Sequence, residues 1–215
     1  MIEIERFTFN PFMENTYVLY DETKEAVIID PGCYDPREHK ELLDFLVEKT
    51  LKVKYILNTH GHIDHVLGNY FTKTHFGVDL LIGKEDLQTL KSVEVYAANY
   101  GFQGYQTTEP DQLLDTTDVI KFGNSSLNIL FVPGHAPGHI AFYPTDKSFI
   151  IGGDVLFQGS IGRTDLPGGD FDTLINSIHT EFFKFPDSTV VHPGHGEATT
   201  IGEEKVSNPF CALKK

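Results

Sequence analysis

Apolar and charged residues alternate through Ile2-Glu3-Ile4-Glu5 and again through Phe7-Thr8-Phe9, the period of two that marks a strand with one buried face. Short apolar runs at residues 16–20 and 26–29, with turn residues between them, extend this to three successive strands. Over residues 36–49 the period changes: Leu42, Leu43, Phe45, Leu46 and Val47 recur among charged neighbours, as on an amphipathic helix. The pattern then predicts a buried strand at 53–57, a helix at 67–76, a strand at 79–82 and a short helix at 85–90, while residues 93–115 show no clear period. Apolar runs at 119–122, 127–132, 140–143 and 148–151 form a second group of strands, followed by helices over 171–185 and a last strand at 189–192. Two strand-rich halves, each with helices, predict an α/β fold of the αββα type: two mixed sheets face to face, with helices outside.

No Pro-, Gly- or Ser-rich linker and no repeat divides the chain, so residues 1–215 read as a single domain. A net charge of −14 argues against a grip on nucleic-acid phosphates, which needs clustered Lys and Arg. The N-terminus MIEIERFTFNPF has no basic head before an apolar stretch, so neither a signal peptide nor a membrane span is indicated and a cytoplasmic location is expected. Cys33 and Cys211 are too few for a disulfide framework and form no CxxC pair. Oligomeric state leaves no mark in the sequence. Ten histidines are the unusual feature.

Three of them fall in Thr59-His60-Gly61-His62-Ile63-Asp64-His65, directly after the apolar Tyr55-Ile56-Leu57. A loop at the end of a buried strand is held rigidly yet reaches a cleft. Three imidazoles and a carboxylate suit zinc first, with iron or manganese as alternatives. The plain alternative is a solvated polar loop, but three histidines and an acid at fixed places arise by chance in well under ~1% of such chains. Four donors would also complete one structural zinc site. More exist, however: His135 follows the run at 129–132, Asp154 follows 149–151, and His195 follows Val190-Val191, each beside a glycine.

HGHIDH, PGHAPGH, GGD and PGHG in this order resemble the metallo-β-lactamase superfamily over essentially the whole chain. The resemblance implies that His60, His62 and His135 hold a first divalent metal, Asp64, His65 and His195 a second, and that Asp154 bridges them. Two ions about 3.5–4 Å apart can share a water, lower its pKa and set it against an electrophilic carbon. Asp64 would aim that water and is the expected catalytic residue. His139 and His192 lie near these positions in sequence as candidates for supporting the ligands, Asp30 at the end of the third strand reads equally as a carboxylate that orients a ligand or as a turn residue, and His39, His75 and His179 read as surface or core residues.

Within the superfamily the chain is most similar to short bacterial glyoxalase II-like proteins, which share the stretch from Gly159 to Asp170. That implies hydrolysis of a small thioester of the S-D-lactoylglutathione type. A secreted lactamase would carry a signal peptide and usually lacks a bridging aspartate, and flavin-partnered diiron relatives carry Glu where His62 stands. Beside hydrolysis of another ester or lactone, persulfide dioxygenase is the main rival: it shares the ligand positions and a Gly-Arg-Thr-Asp segment like Gly162 to Asp165, and would hold one iron with His60, His135 and Asp154. Longer glyoxalase II enzymes bind glutathione with a helical C-terminal domain, for which only about twenty residues remain after His195. The cations available to meet a substrate carboxylate are Arg163, for which a structural salt bridge is the alternative, and the nearby lysines Lys205, Lys214 and Lys215.

Overall fold

A computed structural model describes residues 1–213; Lys214 and Lys215, named above as possible substrate contacts, lie outside the described residues. The first sheet begins as an antiparallel meander of β1 (Glu3–Phe9), β2 (Glu14–Tyr20) and β3 (Glu25–Ile29). It continues in parallel through β4 (Lys52–Asn58), β5 (Asp79–Gly83) and β6 (Gln112–Leu114). The second sheet contains β7 (Val119–Phe122), β8 (Ser125–Phe131), β9 (Ile140–Pro144) and β10 (Phe149–Gly153). β13 (Val190–Pro193) adds in parallel to β10, and β14 (Thr199–Thr200) closes that edge.

Alternation along the strands assigns each side chain to a layer. Tyr17, Leu19, Val27, Ile29 and Leu57 of the first sheet meet Phe122, Leu127, Ile129, Phe142 and Ile151 of the second in the central core. The intervening Val18, Tyr20, Ala26 and Ile28 point the other way, onto Leu42 and Leu46 of α1 (Pro36–Glu48). α1 starts cleanly because Asp35 and Glu38 form a capping box around Pro36. On the far side, Leu130, Ala141, Ile150 and Val191 pack against Leu174 of α5 (Phe171–Ser177) and the π-helical turn Ile178–Phe182. This is the αββα sandwich the periodicity predicts. Strands β2 and β3 are covered on both faces, which is why they read as apolar runs without clean alternation.

Several details differ from the pattern. The helix expected over 67–76 is present as α3 (Asn69–Phe76), and a separate turn, α2 (Ile63–Val66), precedes it; between them the Gly68 N–H turns aside to donate to the Pro31 carbonyl at 2.7 Å. The short helix expected at 85–90 is a 3-10 turn, Lys84–Asp86, leading into α4 (Leu87–Tyr96), which runs into the stretch without a period. That stretch also contains a second 3-10 turn, Ala97–Tyr100, and β6. The hairpin of β11 (Leu156–Phe157) and β12 (Ser160–Ile161), together with β14 and α6 (Ile201–Ser207), left no periodic signal. Two-residue strands are too short to show one. Among the described residues no helix is long and apolar enough to cross a membrane.

Candidate metal centre

The ends of β4, β8, β10 and β13 deliver the seven candidate ligands to one place. His60 follows β4, and His62 caps α2, whose single turn presents Asp64 and His65, so two of the donors ride on a helix rather than on the expected loop. His135 follows β8, Asp154 directly follows β10, and His195 follows β13. The ligand atoms of His60, His62 and His135 lie within 4.8 Å of one another, and so do those of Asp64, His65 and His195.

Asp154 stands between the two groups. Its Oδ2 is 3.5 Å from His135 Nε2 and 3.5 Å from His195 Nε2, and its Oδ1 is 3.5 Å from His65 Nε2. Asp64 Oδ2 lies 3.1 Å from His195 Nε2, and His62 Nδ1 lies 2.8 Å from His135 Nε2. Three of these atoms, His60 Nε2, His65 Nε2 and Asp154 Oδ1, are buried without any hydrogen-bond partner. Burying a polar atom unpaired costs roughly 1–3 kcal/mol, so three converging orphans fit a cation as their missing partner.

Hydrogen bonds at the other ring nitrogen fix the direction of three of these imidazoles. His65 Nδ1 faces Asp30 Oδ2 at 3.1 Å, His135 Nδ1 faces the Arg163 carbonyl at 2.8 Å, and His195 Nδ1 faces the carbonyls of Phe12 and Met13 at 3.1 and 3.2 Å. Asp30, His60 and His65 also lie close enough to suggest a third ligand group. Asp30 is already committed, however: Oδ1 accepts the Thr59 N–H at 2.7 Å and Oδ2 the Thr59 hydroxyl at 2.6 Å. It orients His65 instead of offering a free oxygen.

Electrostatics follow from burial and from the opposed charges. Burial pushes the His60 imidazole well below its ordinary pKa, and burial with His135 beside it lowers His62 to about 3, so both are neutral donors. Burial works against the charge on His65 too, yet Asp64, Asp154 and Asp30 outweigh it and raise that imidazole. Burial would raise the Asp64 carboxyl, but His65 and His195 hold it below the usual range.

The other histidines separate into distinct environments. His139 accepts the Asp154 N–H and stacks on His60 with centroids 4.6 Å apart. His192 touches no candidate ligand; it lies between Tyr17 and Phe149. His39 stacks on Phe71, His75 lies edge-on to Phe76, and His179 donates to the Cys211 carbonyl. Cys33 is fully buried, and burial pushes its thiol up, away from nucleophilic use. Arg163 is paired with Asp165 through two contacts of 2.7 Å and points no free guanidinium at the centre. Lys205 pairs with Asp187.

Two carboxylates at the centre were not singled out from sequence. Glu14 is fully buried 3.9 Å from His65 Nδ1, with Oε2 accepting from Thr16 and Oε1 unpartnered. Asp86 is fully buried beside Gly61 and Gly138. Each is a lone acid with no repeated spacing, Glu14 opening β2 and Asp86 following two charged residues after β5, so the sequence carried no signal for either.

Known proteins resemble this chain in sequence and fold. The description "Metallo-beta-lactamase superfamily" matches residues 9–195. Hydroxyacylglutathione hydrolase GloC of Haemophilus influenzae is 40% identical over 99% of this chain and all of its own length. Mitochondrial persulfide dioxygenase ETHE1 of Bos taurus is 31% identical over 92% of this chain and 71% of its own. Among solved structures, BLEG-1 B3 metallo-beta-lactamase matches with a TM-score of 0.84 and 34% identity, over 98% of this chain and 100% of its own. TTHA1623 in a di-iron-bound form matches equally well, with a TM-score of 0.84 and 34% identity over 96% and 99%. The chain belongs to the metallo-β-lactamase superfamily.

Proposed function

We propose that this protein is a hydrolase with two divalent cations that cleaves small thioesters of the S-D-lactoylglutathione type. In this reading His60, His62 and His135 hold one cation, Asp64, His65 and His195 hold the other, and Asp154 belongs to both. The observation that carries it is Asp154 itself, whose two oxygens stand 3.5 Å from ring nitrogens of both histidine groups. Likeness to GloC supports the thioester, and the di-iron form of TTHA1623 supports a two-cation centre. Zinc, iron and manganese all suit these donors.

When bound, such a cation pair lowers the pKa of a water and stabilises the oxyanion that forms on an attacked carbonyl. Asp64 Oδ2, at the open side of the centre, accepts a hydrogen bond from the attacking water and aims it. A thiolate leaves without strong acid assistance, which fits a centre with no free cationic side chain directed at a leaving group among the described residues. Recognition of glutathione is weak in this reading: the chain carries a net charge of −14, and Arg163 must release Asp165 before it can meet a substrate carboxylate.

The deciding experiment measures metal per chain in protein purified without added metal, then turnover of S-D-lactoylglutathione and of glutathione persulfide. Two metals and thioester hydrolysis with a high KM, raised further in Arg163→Ala with kcat less affected, support the proposal. One iron per chain and oxygen consumption with the persulfide, without thioester turnover, would instead assign a dioxygenase using His60, His135 and Asp154. Likeness to ETHE1 is what keeps that second reading in the test.

A further inference from the structure

Asp86 sits where the second half of the 3-10 turn after β5 enters α4, outside the HGHIDH and PGH motifs, and its side chain is completely buried. Oδ2 accepts the N–H of Gly61, between His60 and His62, and Oδ1 accepts the N–H of Gly138 at 3.0 Å, three residues beyond His135. Thr89 donates its hydroxyl to the same Oδ1 at 2.9 Å. One carboxylate therefore ties a loop from the first sheet to a loop from the second. Both loops press directly onto this turn: a Cβ on Gly61 would run into Leu90, and a Cβ on Gly138 would run into the backbone of Asp86. The Ile140 N–H donating to the Thr59 carbonyl at 2.9 Å is a second tie between the same two loops.

An ordinary packing role does not account for this arrangement. A buried carboxylate is costly to desolvate, and it is kept only where its oxygens are fully used. Here two oxygens serve two loops, which no apolar residue can do and a carboxamide does only by half. The second histidine group is held by other means: Asp30 fixes His65, the carbonyls of Phe12 and Met13 fix His195, and Asn58 donates to the His65 carbonyl at 3.2 Å.

We infer that Asp86 is a positioning residue that sets the distance between the His60–His62 loop and the His135 loop, and so controls cation affinity at the three-histidine group alone. This rests on the proposed assignment of those histidines as ligands. Asp86→Asn is the informative variant, because its single carbonyl oxygen can accept from Gly61 or Gly138, while its NH2 faces the other N–H. Supporting groups of this kind change metal affinity by about 10–100-fold when altered.

The test has two arms. In metal-free protein, imidazole NMR resonances of His62 and His135 should shift or broaden in Asp86→Asn, while those of His65 and His195 stay in place. In cobalt titrations followed by visible absorbance, wild type should take two equivalents tightly, Asp86→Asn should take one tightly and the second at least 10-fold more weakly. Thr89→Ala, which spares both loop bonds, should behave as wild type. Unchanged His62 and His135 resonances with two tight equivalents in Asp86→Asn would overturn the inference, and so would equal losses in Thr89→Ala. Failure of wild type to bind two equivalents would overturn the metal assignment, while the metal-free NMR arm would still decide the role of Asp86 in setting the loops.

Discussion

His139 accepts the backbone N–H of Asp154 through Nε2 at 3.1 Å, so a neutral imidazole fixes the turn that carries the carboxylate between the two histidine groups. Burial lowers the His139 pKa well below its ordinary value, consistent with an acceptor that carries no proton on Nε2. Asp154 itself supplies both oxygens, whereas His139 only steadies its backbone. Asp154→Ala should therefore abolish binding of the second metal equivalent and reduce kcat by at least 100-fold, and His139→Ala should cost about 10-fold. Metal stoichiometry and turnover of the two variants decide the order; near-normal activity and two metals in Asp154→Ala would sink the bridging role.

The aromatic stretch without a period divides into packing and exposed members. Phe102 is buried against Tyr34, with ring centroids 4.8 Å apart, while Tyr100 is 57% exposed and meets Phe12, itself 39% exposed, at 6.1 Å. Phe12 also offers its carbonyl to His195, which places this exposed pair beside the centre. Phe12→Ala and Tyr100→Ala should each raise KM several-fold with stability little changed, because exposed rings contribute little to the core. Phe102→Ala should instead destabilise the fold by about 3–5 kcal/mol in denaturant titrations. Unaltered KM in both exposed variants would reduce the pair to surface packing.

His192 gives the fold an acid sensitivity unrelated to metal. Its ring lies 5.7 Å from Tyr17 and 6.0 Å from Phe149, and burial, aided by the charge of Arg6, lowers its pKa to about 4. The unfolded chain, with histidine near ~6.5, binds the proton more readily, so stability is complete above that value and is lost as the pH falls toward the folded value. Between pH 7.5 and 5 the loss from this residue is on the order of 1–2 kcal/mol. Urea unfolding of chelator-treated wild type and His192→Leu at both pH values isolates it: the variant should lose less stability on acidification. Parallel losses in the two proteins would show that His192 does not titrate this way.

What could be read from the sequence depended on whether a signal was contiguous. The HGHIDH segment places four donors within six residues, and the apolar runs before His135, Asp154 and His195 mark strands, so the convergence of these candidate ligands was legible without coordinates. The sandwich was visible because buried strands such as β3 and amphipathic α1 differ in period. Asp86 was not, since its meaning lies in two N–H groups donated by loops 25 and 52 residues away. Arg163 illustrates a different limit: the sequence left a substrate contact and a structural salt bridge both open, and the fold pairs it with Asp165 two residues along.

The residues after His195 anchor the hairpin that borders the centre. Glu204 of α6 is 1% exposed; it accepts from the Thr199 hydroxyl at 2.6 Å, the Gly159 N–H at 3.0 Å and the Asn208 side chain at 2.7 Å. Asn208 in turn donates to the Ser160 carbonyl at 3.0 Å, so both bonds hold the turn between β11 and β12. That hairpin carries Phe157, whose ring is 6.3 Å from His195, and leads into Arg163, whose carbonyl fixes His135. Glu204→Ala leaves two buried side chains, Thr199 and Asn208, and the Gly159 N–H without their acceptor and should destabilise the protein by about 2–4 kcal/mol. Glu204→Gln keeps one carbonyl oxygen and should lose less. At a temperature where both variants remain folded, KM should rise more than kcat falls, since the hairpin borders the candidate centre and reaches His135 only through the Arg163 carbonyl. Wild-type KM in a folded Glu204→Ala protein would confine this carboxylate to stability.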